Sequence, residues 1–438
     1  MNTKLKIALG ISGFLAVIIG VSLAGLDRKG NDEEKQVNAN WDKFAQKFPQ
    51  PVESNKSALQ LKQMTEKLGF ILYSTQAKND NIKLEQKAKQ EIETVRKDID
   101  DYYSNQLISN NSTIPVPSEK IRKYLTAKSS LIGEINQYIL NNETPIWSYN
   151  IDYLKKGDVS YPLPSMLGIV TLEKILLIDG LEKYRLGEKE AGLKSIESAA
   201  KLTENLKNRP ELIGQLVSII ANKTQNAALR KLEQIPDNLK QSLNNHDYRQ
   251  SVMTSLYGES FFMYYGMRNN FNQLYGQENV GLFERLLSAP ISKPYIQTAA
   301  FKDYQKQQKI YGEIEQEKNF CHINWDKLTQ DNSNENNWDI FAPFSLNVGS
   351  FASQYRKGGD LMLHLELTEK ILLIKSLRAK TGKLPATVSG LESSICPGEK
   401  WIYQVNPEGK KATLKFSYKL TEPNPKSSAL ALPFHYEF

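Results

Sequence analysis

The chain has 438 residues, of which 56 are lysine or arginine and 49 aspartate or glutamate, for a formal net charge of +7. Hydrophobic residues make up 40% and charged residues 24%, the proportions of a globular protein with a substantial core, which excludes a disordered or fibrous chain. The basic residues are interleaved with acidic ones and form no dense arginine block, so no nucleic-acid partner is expected.

Lys4 and Lys6 precede Ile7 to Leu26, a run without a charged residue. A helix of about 20 residues spans about 30 Å, the thickness of a bilayer core. The expectation is a signal anchor over 1–29 with a transmembrane helix over about 7–26, which makes the membrane a partner. Lys4 and Lys6 favour a cytoplasmic N-terminus, while Arg28 and Lys29 weigh the other way. The resulting protein is single-pass in an inner membrane, with its bulk periplasmic. Ser22-Leu23-Ala24 also fits a cleavage site, so a removed signal peptide is the alternative. Ala16, Gly20 and Ala24 form a small-xxx-small row through which two such helices can pack as a homodimer.

Residues 30–56 are polar, with Pro49 and Pro51, and read as a linker. Helices are predicted from about Ser57 to Leu107, a loop over Asn110 to Pro117, and a helix from Ser118 to Leu140. Asn141 to Pro164 holds Trp147, Tyr149, Tyr153 and Tyr161 and reads as an ordered aromatic crossing. A helix apolar on most sides follows over Gly168 to Leu186, stopped by Gly187. An amphipathic helix covers Glu188 to Leu206. Asn208-Arg209-Pro210-Glu211 starts a third, with proline in the first turn and Glu211 at the positive end of the dipole. Its apolar stripe is Leu212, Ile213, Leu216, Val217 and Ile220. Such short turns make antiparallel neighbours. Tyr184, Gly187, Ile196 and Ala199 match part of a tetratricopeptide pattern, but no second copy stands at a fixed period.

Further helices are predicted to about Gly276. Pro290 and Pro294 mark a break before a helix over 295–316. Asn319 to Ser350 reads as a long loop, and Phe351 to Lys380 as the last long helix. Trp401 to Val405 and Thr413 to Lys419 are predicted strands, the second alternating Leu414, Phe416 and Tyr418 with polar residues. Asn406-Pro407-Glu408-Gly409 turns between them.

The tail carries a resemblance. Thr381-Gly382-Lys383-Leu384-Pro385 closes a long apolar helix. Leu391, Cys396-Pro397-Gly398, Trp401 and Tyr403 then lead into a strand pair. This resembles the end of the pseudopilin-like fold. Together with Leu181 to Leu232 and Gly258-Glu259, over roughly residues 165–420, the chain also resembles uncharacterised membrane-anchored bacterial envelope proteins. The resemblance implies an envelope location and an envelope protein partner. No activity comes with it. The glutamate inside the apolar helix that pilin processing needs is missing after Gly13-Phe14.

Chemical signatures are sparse. There is no G-x-S-x-G elbow, no phosphate loop around Gly382-Lys383 and no H-E-x-x-H. His246, His322, His364 and His435 are far apart in sequence, and Cys321-His322 has no second pair at ligand spacing. His364 reads as a hydrogen-bonded core histidine. Glu259, among Tyr257, Phe261, Phe262, Tyr264 and Tyr265, is the one carboxylate that stands out. Burial there raises a carboxyl pKa, as a general acid requires, while pairing with Arg249 or Arg268 makes it structural. The structural role is expected, and no catalytic, cofactor-binding or metal residue is assigned. Cys321 and Cys396 can form a disulfide in an oxidising compartment or stay as two buried thiols.

The expected fold is mainly α: an antiparallel helical bundle or array on an N-terminal transmembrane helix, with a small C-terminal α+β module. Its segments are 1–29, 30–56, a helical domain over 57–350 and a long helix plus sheet over 351–438. The expected role is binding or scaffolding in the envelope. A carboxylate-dependent hydrolase and a secretion-system or pilus accessory are the alternatives.

Overall fold

The computed structural model describes residues 29–48, 52–74, 84–158, 161, 164–269, 282–317, 319–324, 348–418 and 434–438. The expected span over 7–26 and its Ala16-Gly20-Ala24 row lie outside them. Among the described residues no helix is long and apolar enough to cross a membrane.

Helix α1 covers residues 29–45. Val37, Trp41 and Phe44, at i, i+4 and i+7, form a narrow stripe buried against Phe261, Tyr264 and Tyr304. Residues 30–45, expected as part of a polar linker, are therefore a packed helix. Three large apolar residues on one side suffice to seat an otherwise polar helix.

Helix α2 (Lys56–Glu66) starts where the Asn55 side chain accepts from the Ala58 N–H at 3.0 Å. Helix α3 (Gln86–Asp101) runs on into a π turn, Tyr102–Leu107. The helix expected over Ser118 to Leu140 divides at Lys128 into α4 (Glu119–Ala127) and α5 (Ser129–Asn141), with Ser118 capping the first. Short helix α6 (Asp152–Lys156) stops at Gly157, whose φ of +59° suits glycine.

Next come α7 (Leu167–Arg185), α8 (Lys189–Thr203) with a 3-10 turn over Glu204–Asn208, and α9 (Leu212–Leu229). Their order follows the sequence reading, as does the stop at Gly187 with φ +94°. Helices α7 and α8 approach so closely that a β-carbon built on Gly180 falls 2.7 Å from the Gly192 carbonyl oxygen.

The stripe expected on α9 is displaced. Val217 is buried and Leu212 and Leu216 are half-buried, but Ile213 and Ile220 are 39% and 41% exposed. The helix turns Gly214, Ser218, Ala221 and Thr224 inward instead, because α7, α8, α11 and α13 pack around it. Close approach on several sides favours small residues over large ones.

Among the described residues, α10 (Asp237–Asn244), α11 (Tyr248–Asn269), α12 (Leu282–Gln316) and α13 (Val348–Thr381) follow. Helix α12 runs unbroken through Pro290 and Pro294. Each proline removes one intrahelical donor. Beyond them Phe301, Tyr304, Tyr311 and Ile314 are buried. The loop expected over 319–350 opens with a 3-10 turn, Phe320–His322, in which Phe320 and Cys321 are buried.

Helix α13 ends before Gly382, at φ +68°. The tail forms an antiparallel sheet in the order β1 (Trp401–Val405), β2 (Ala412–Phe416) and β3 (His435–Glu437). Tyr403 pairs with Leu414, and Leu414 with Tyr436. Ala412, Leu414 and Phe416 are buried in alternation with exposed Thr413 and Lys415. Strand β3 was not foreseen, since three residues are too short for a periodic signal.

One large core cluster joins Ile310 and Tyr311 to Leu361, Leu363, Trp401 and Tyr436, across the division expected at 350. A second cluster gathers α1, α6, α11 and α12 around Trp41, Phe261 and Tyr304.

Candidate functional site

Polar and ionisable side chains are buried at both ends of α9. At its N-terminal end the crossing segment passes beside the chain, with Val52 and Tyr149 exchanging backbone hydrogen bonds at 3.2 and 3.0 Å. Arg209 fills the space between them and α9. It donates to the Trp147 and Ser148 carbonyls at 3.1 Å each, and to Glu211 through Nε at 3.1 Å and Nη2 at 2.7 Å. The planar guanidinium fork suits such a two-point pairing. Its faces look onto the rings of Tyr73 at 5.9 Å and Tyr149 at 5.3 Å. Tyr153 and Tyr161 stack alongside at 4.5 Å. Burial works against the Arg209 charge, but Glu211 and Tyr73 outweigh it and leave the group raised.

The sequence reading placed Pro210 in the first turn and Glu211 on the helix dipole. The helix instead begins at Leu212, and the Glu211 carboxylate is committed to Arg209. The carboxylate that meets the helix end is Glu259, from the middle of α11. It is half-buried and accepts from the Leu212 N–H. Burial pushes it up, the Leu212 N–H pulls it back, and neighbouring Glu211 raises it further, to about 7. Neither arginine expected as the partner of Glu259 pairs with it. Arg249 pairs with Asp247 at 3.0 Å and Arg268 with Glu34 at 2.6 Å. The phenols of Tyr153 and Tyr311 are raised, by burial first and then by Glu259.

At the other end of α9, cations meet the negative pole of the helix. Lys375 of α13 donates to the carbonyls of Arg230 and Leu232 at 2.7 and 2.8 Å. Lys231 donates to the Ser109 carbonyl, the Ser109 hydroxyl and the Asn111 carbonyl, each at 2.7 Å. Arg230 donates to Thr368 and to the His364 carbonyl at 2.9 Å each. Tyr436 of β3 donates to the Arg230 carbonyl at 2.7 Å. Burial pushes Arg230 down to about 9, Lys375 to about 8 and, with Lys375 and Arg230 adding repulsion, Lys231 to about 7. His364 is a core histidine as expected, 4.2 Å from the ring of Phe434 and 3.3 Å from Arg230 Nη2.

Both ends read as fastenings. Arg209 and Glu211 are 3% and 2% exposed, which seals them from a ligand. Glu259 is the group there that combines partial exposure with a proton exchangeable near neutral pH. Among the described residues no three or more histidine, cysteine, aspartate or glutamate side chains are grouped to hold a metal. Cys321 is bonded to Cys396 across a Cα–Cα distance of 5.5 Å, so it offers no thiolate beside His322. An open groove of about 490 Å³ lies between α1 and α6, bordered by Trp41, Phe48, Asp42 and Asp152.

The sequence reading missed Arg209 as a hub. Its signal was an arginine between two helices, facing a tyrosine-rich crossing. Comparisons with protein-family models, with curated proteins and with solved structures each returned no significant match.

Proposed function

We propose that the protein is a single-pass, membrane-anchored protein whose helical body lies outside the cytoplasm and binds or scaffolds a protein partner in the cell envelope. In this reading the helices form an antiparallel array behind a span over about 7–26, and the tail beyond Gly382 is a pseudopilin-like module. The Cys321–Cys396 bond carries the reading, because disulfides persist in oxidising compartments and are rare in the cytosol. The uncharged run from Ile7 to Leu26 agrees with it. The two ends of α9 support binding over catalysis, since their charged groups are occupied by one another and by backbone. Alkaline extraction of membranes, together with a reporter fused at Phe438 that is active only when exported, tests the proposal. Retention and activity are expected. Release by carbonate, or an inactive reporter on an intact fusion, would end it.

One observation favours the enzymatic alternative: Glu259 is half-buried and pushed up to about 7, in the range of a general acid. Glu259→Gln separates the readings. A catalytic Glu259 requires loss of a measured hydrolysis with folding intact, whereas a structural one alters only stability.

A further inference from the structure

The turn between α10 and α11 brings together a histidine and a serine that lie outside both fastenings of α9. Asp247 fixes this turn. Its carboxylate accepts from the Arg249 and Gln250 N–H groups at 2.9 and 3.3 Å and so caps α11. The cap sets His246 just ahead of the helix and Ser251 in the first turn. There they meet, with Ser251 Oγ 2.7 Å from His246 Nε2. Both side chains are half-buried. The imidazole stands edge-on to the ring of Tyr248 at 4.7 Å, and Tyr248 is buried in the core.

The 3-10 turn after α8 supplies the third group. The Lys207 carbonyl accepts a hydrogen bond from the His246 ring. A neutral imidazole has one N–H. With Nε2 against Ser251, that proton sits on Nδ1, and Nε2 is left to accept from the serine hydroxyl. Burial pulls the ring below its usual range and the Lys207 ammonium pulls it further, while Asp247 and Glu204 work the other way. The ring therefore rests neutral near pH 7, and the two carboxylates favour the imidazolium once a proton arrives.

A hydroxyl bonded to a neutral, oriented imidazole is how a serine is activated as a nucleophile. The first turn of α11, a helix of 22 residues, adds its positive pole, which favours the negative charge that develops as Oγ gives up its proton. The Asp247 cap offsets part of that pole and returns it as support for the imidazolium. Esters are the class such a pair suits. A carbonyl orients the ring in place of a directly bonded carboxylate, which makes a weaker base than a full triad, and an alcohol departs more readily than an amine.

We propose that Ser251 and His246 are the nucleophile and general base of an acyl-transfer site for carboxylic esters. The site is separate from Glu259 and does not depend on the anchored reading above. Ser251 Oγ adds to the ester carbonyl carbon while its proton passes to His246 Nε2. The bond to the alcohol oxygen then breaks, and His246 returns the proton to the departing alkoxide, leaving the acyl group on Oγ. Water repeats the sequence. His246 takes its proton, its oxygen adds to the acyl carbon, and Oγ departs with the proton from His246. The products are an acid and an alcohol, and nothing is oxidised or reduced.

The test incubates the full chain with p-nitrophenyl acetate, follows p-nitrophenolate release, and locates acetyl groups by mass spectrometry after an acid quench. An acetyl group on Ser251 is expected in the native parent and not in the urea-unfolded chain. Ser251→Ala and His246→Ala should each slow release roughly a hundredfold. Free imidazole should restore part of the rate to His246→Ala, which a structural histidine would not show. Thermal unfolding within a few degrees of the parent shows that the variants keep the fold. A native parent without acetyl on Ser251 overturns the proposal whatever the variants do. Acetylation of Ser251 at the parent rate in His246→Ala, or in the unfolded chain, overturns it too, since the hydroxyl is then no more reactive than any other.

Discussion

Glu173 carries a fully buried carboxyl group. It lies on α7 at 0% exposure, one oxygen accepting from Gln225 at 2.8 Å and the other without a protein partner. Burial pushes it up to about 8 from an ordinary 4.5. The sign follows from linkage. Below pH 4.5 both folded and unfolded chains hold the proton. Between 4.5 and about 8 only the folded chain does, so ionisation of the unfolded chain draws it open and stability falls as pH rises. Each pH unit in that window costs roughly 1.4 kcal/mol at most. Glu259, pushed up to about 7, adds to the fall over a narrower range. Glu173→Gln copies the protonated form and removes the larger part. Urea unfolding at pH 5 and pH 8 should show the parent losing a few kcal/mol and the variant clearly less. An equal slope in both would show that Glu173 is ionised in the folded chain. Glu259→Ala tests the other carboxyl, since leaving the Leu212 N–H unpaired should cost about 1 kcal/mol by the same assay. No loss would remove Glu259 as the cap of α9.

Glu366 shows how one element holds another. From the buried side of α13 its carboxylate accepts from the Ser393 hydroxyl at 2.8 Å, the Ser394 N–H at 2.6 Å, the Ser394 hydroxyl at 3.0 Å and the Trp401 indole at 2.9 Å. The Cys321–Cys396 bond and the hydrogen bond from Asn319 to the Pro397 carbonyl at 2.8 Å fasten the same turn from the other side. The sheet is thus clamped twice. Glu366→Ala leaves several buried donors without an acceptor and should cost about 3 kcal/mol. The Cys321→Ser, Cys396→Ser pair should cost about 4 kcal/mol for a loop of this size. Limited proteolysis after Gly382 should release the tail only when both clamps are removed. Release from either variant alone would mean the clamps are not independent. Helices α7 and α8 add a second strategy, an approach close enough for backbone to meet backbone at Gly180 and Gly192. Gly180→Ala places a methyl 2.7 Å from the Gly192 carbonyl and should destabilise by about 1–3 kcal/mol. A neutral result would mean that the pair can slide apart.

At the scale of the whole molecule, one large core cluster spans helices and sheet, with a second cluster beside it. Tyr257 packs against both clusters. Helix α1 packs into the second cluster through Val37, Trp41 and Phe44. Alkylation of the denatured, unreduced protein should find no free thiol, since both cysteines are bonded. Two reactive thiols per chain would contradict both the clamp and the export proposal that uses it.

Sequence pattern by itself fixed the helices whose burial is local. The apolar run through Ile175, Leu176, Leu177 and Ile178, the glycine stop at Gly187 and the alternation of Leu414 with Phe416 are all written in periods of 3.6 or 2. What depends on a partner far along the chain was not legible. Nothing near Glu259 shows that its acceptor oxygens meet the end of another helix at Leu212. Nothing near Arg209 shows a tyrosine crossing arriving from residues 147–161. The inward side of α9 went unread because its small residues are chosen by the neighbours that press on it, not by a hydrophobic count. Helix α12 passes through the two prolines at which the pattern of the sequence marked a break. Composition could state that Cys321 and Cys396 form an even pair. Only the fold decided that they meet, by bringing the Phe320 turn and the entry to the sheet to the same side of α13.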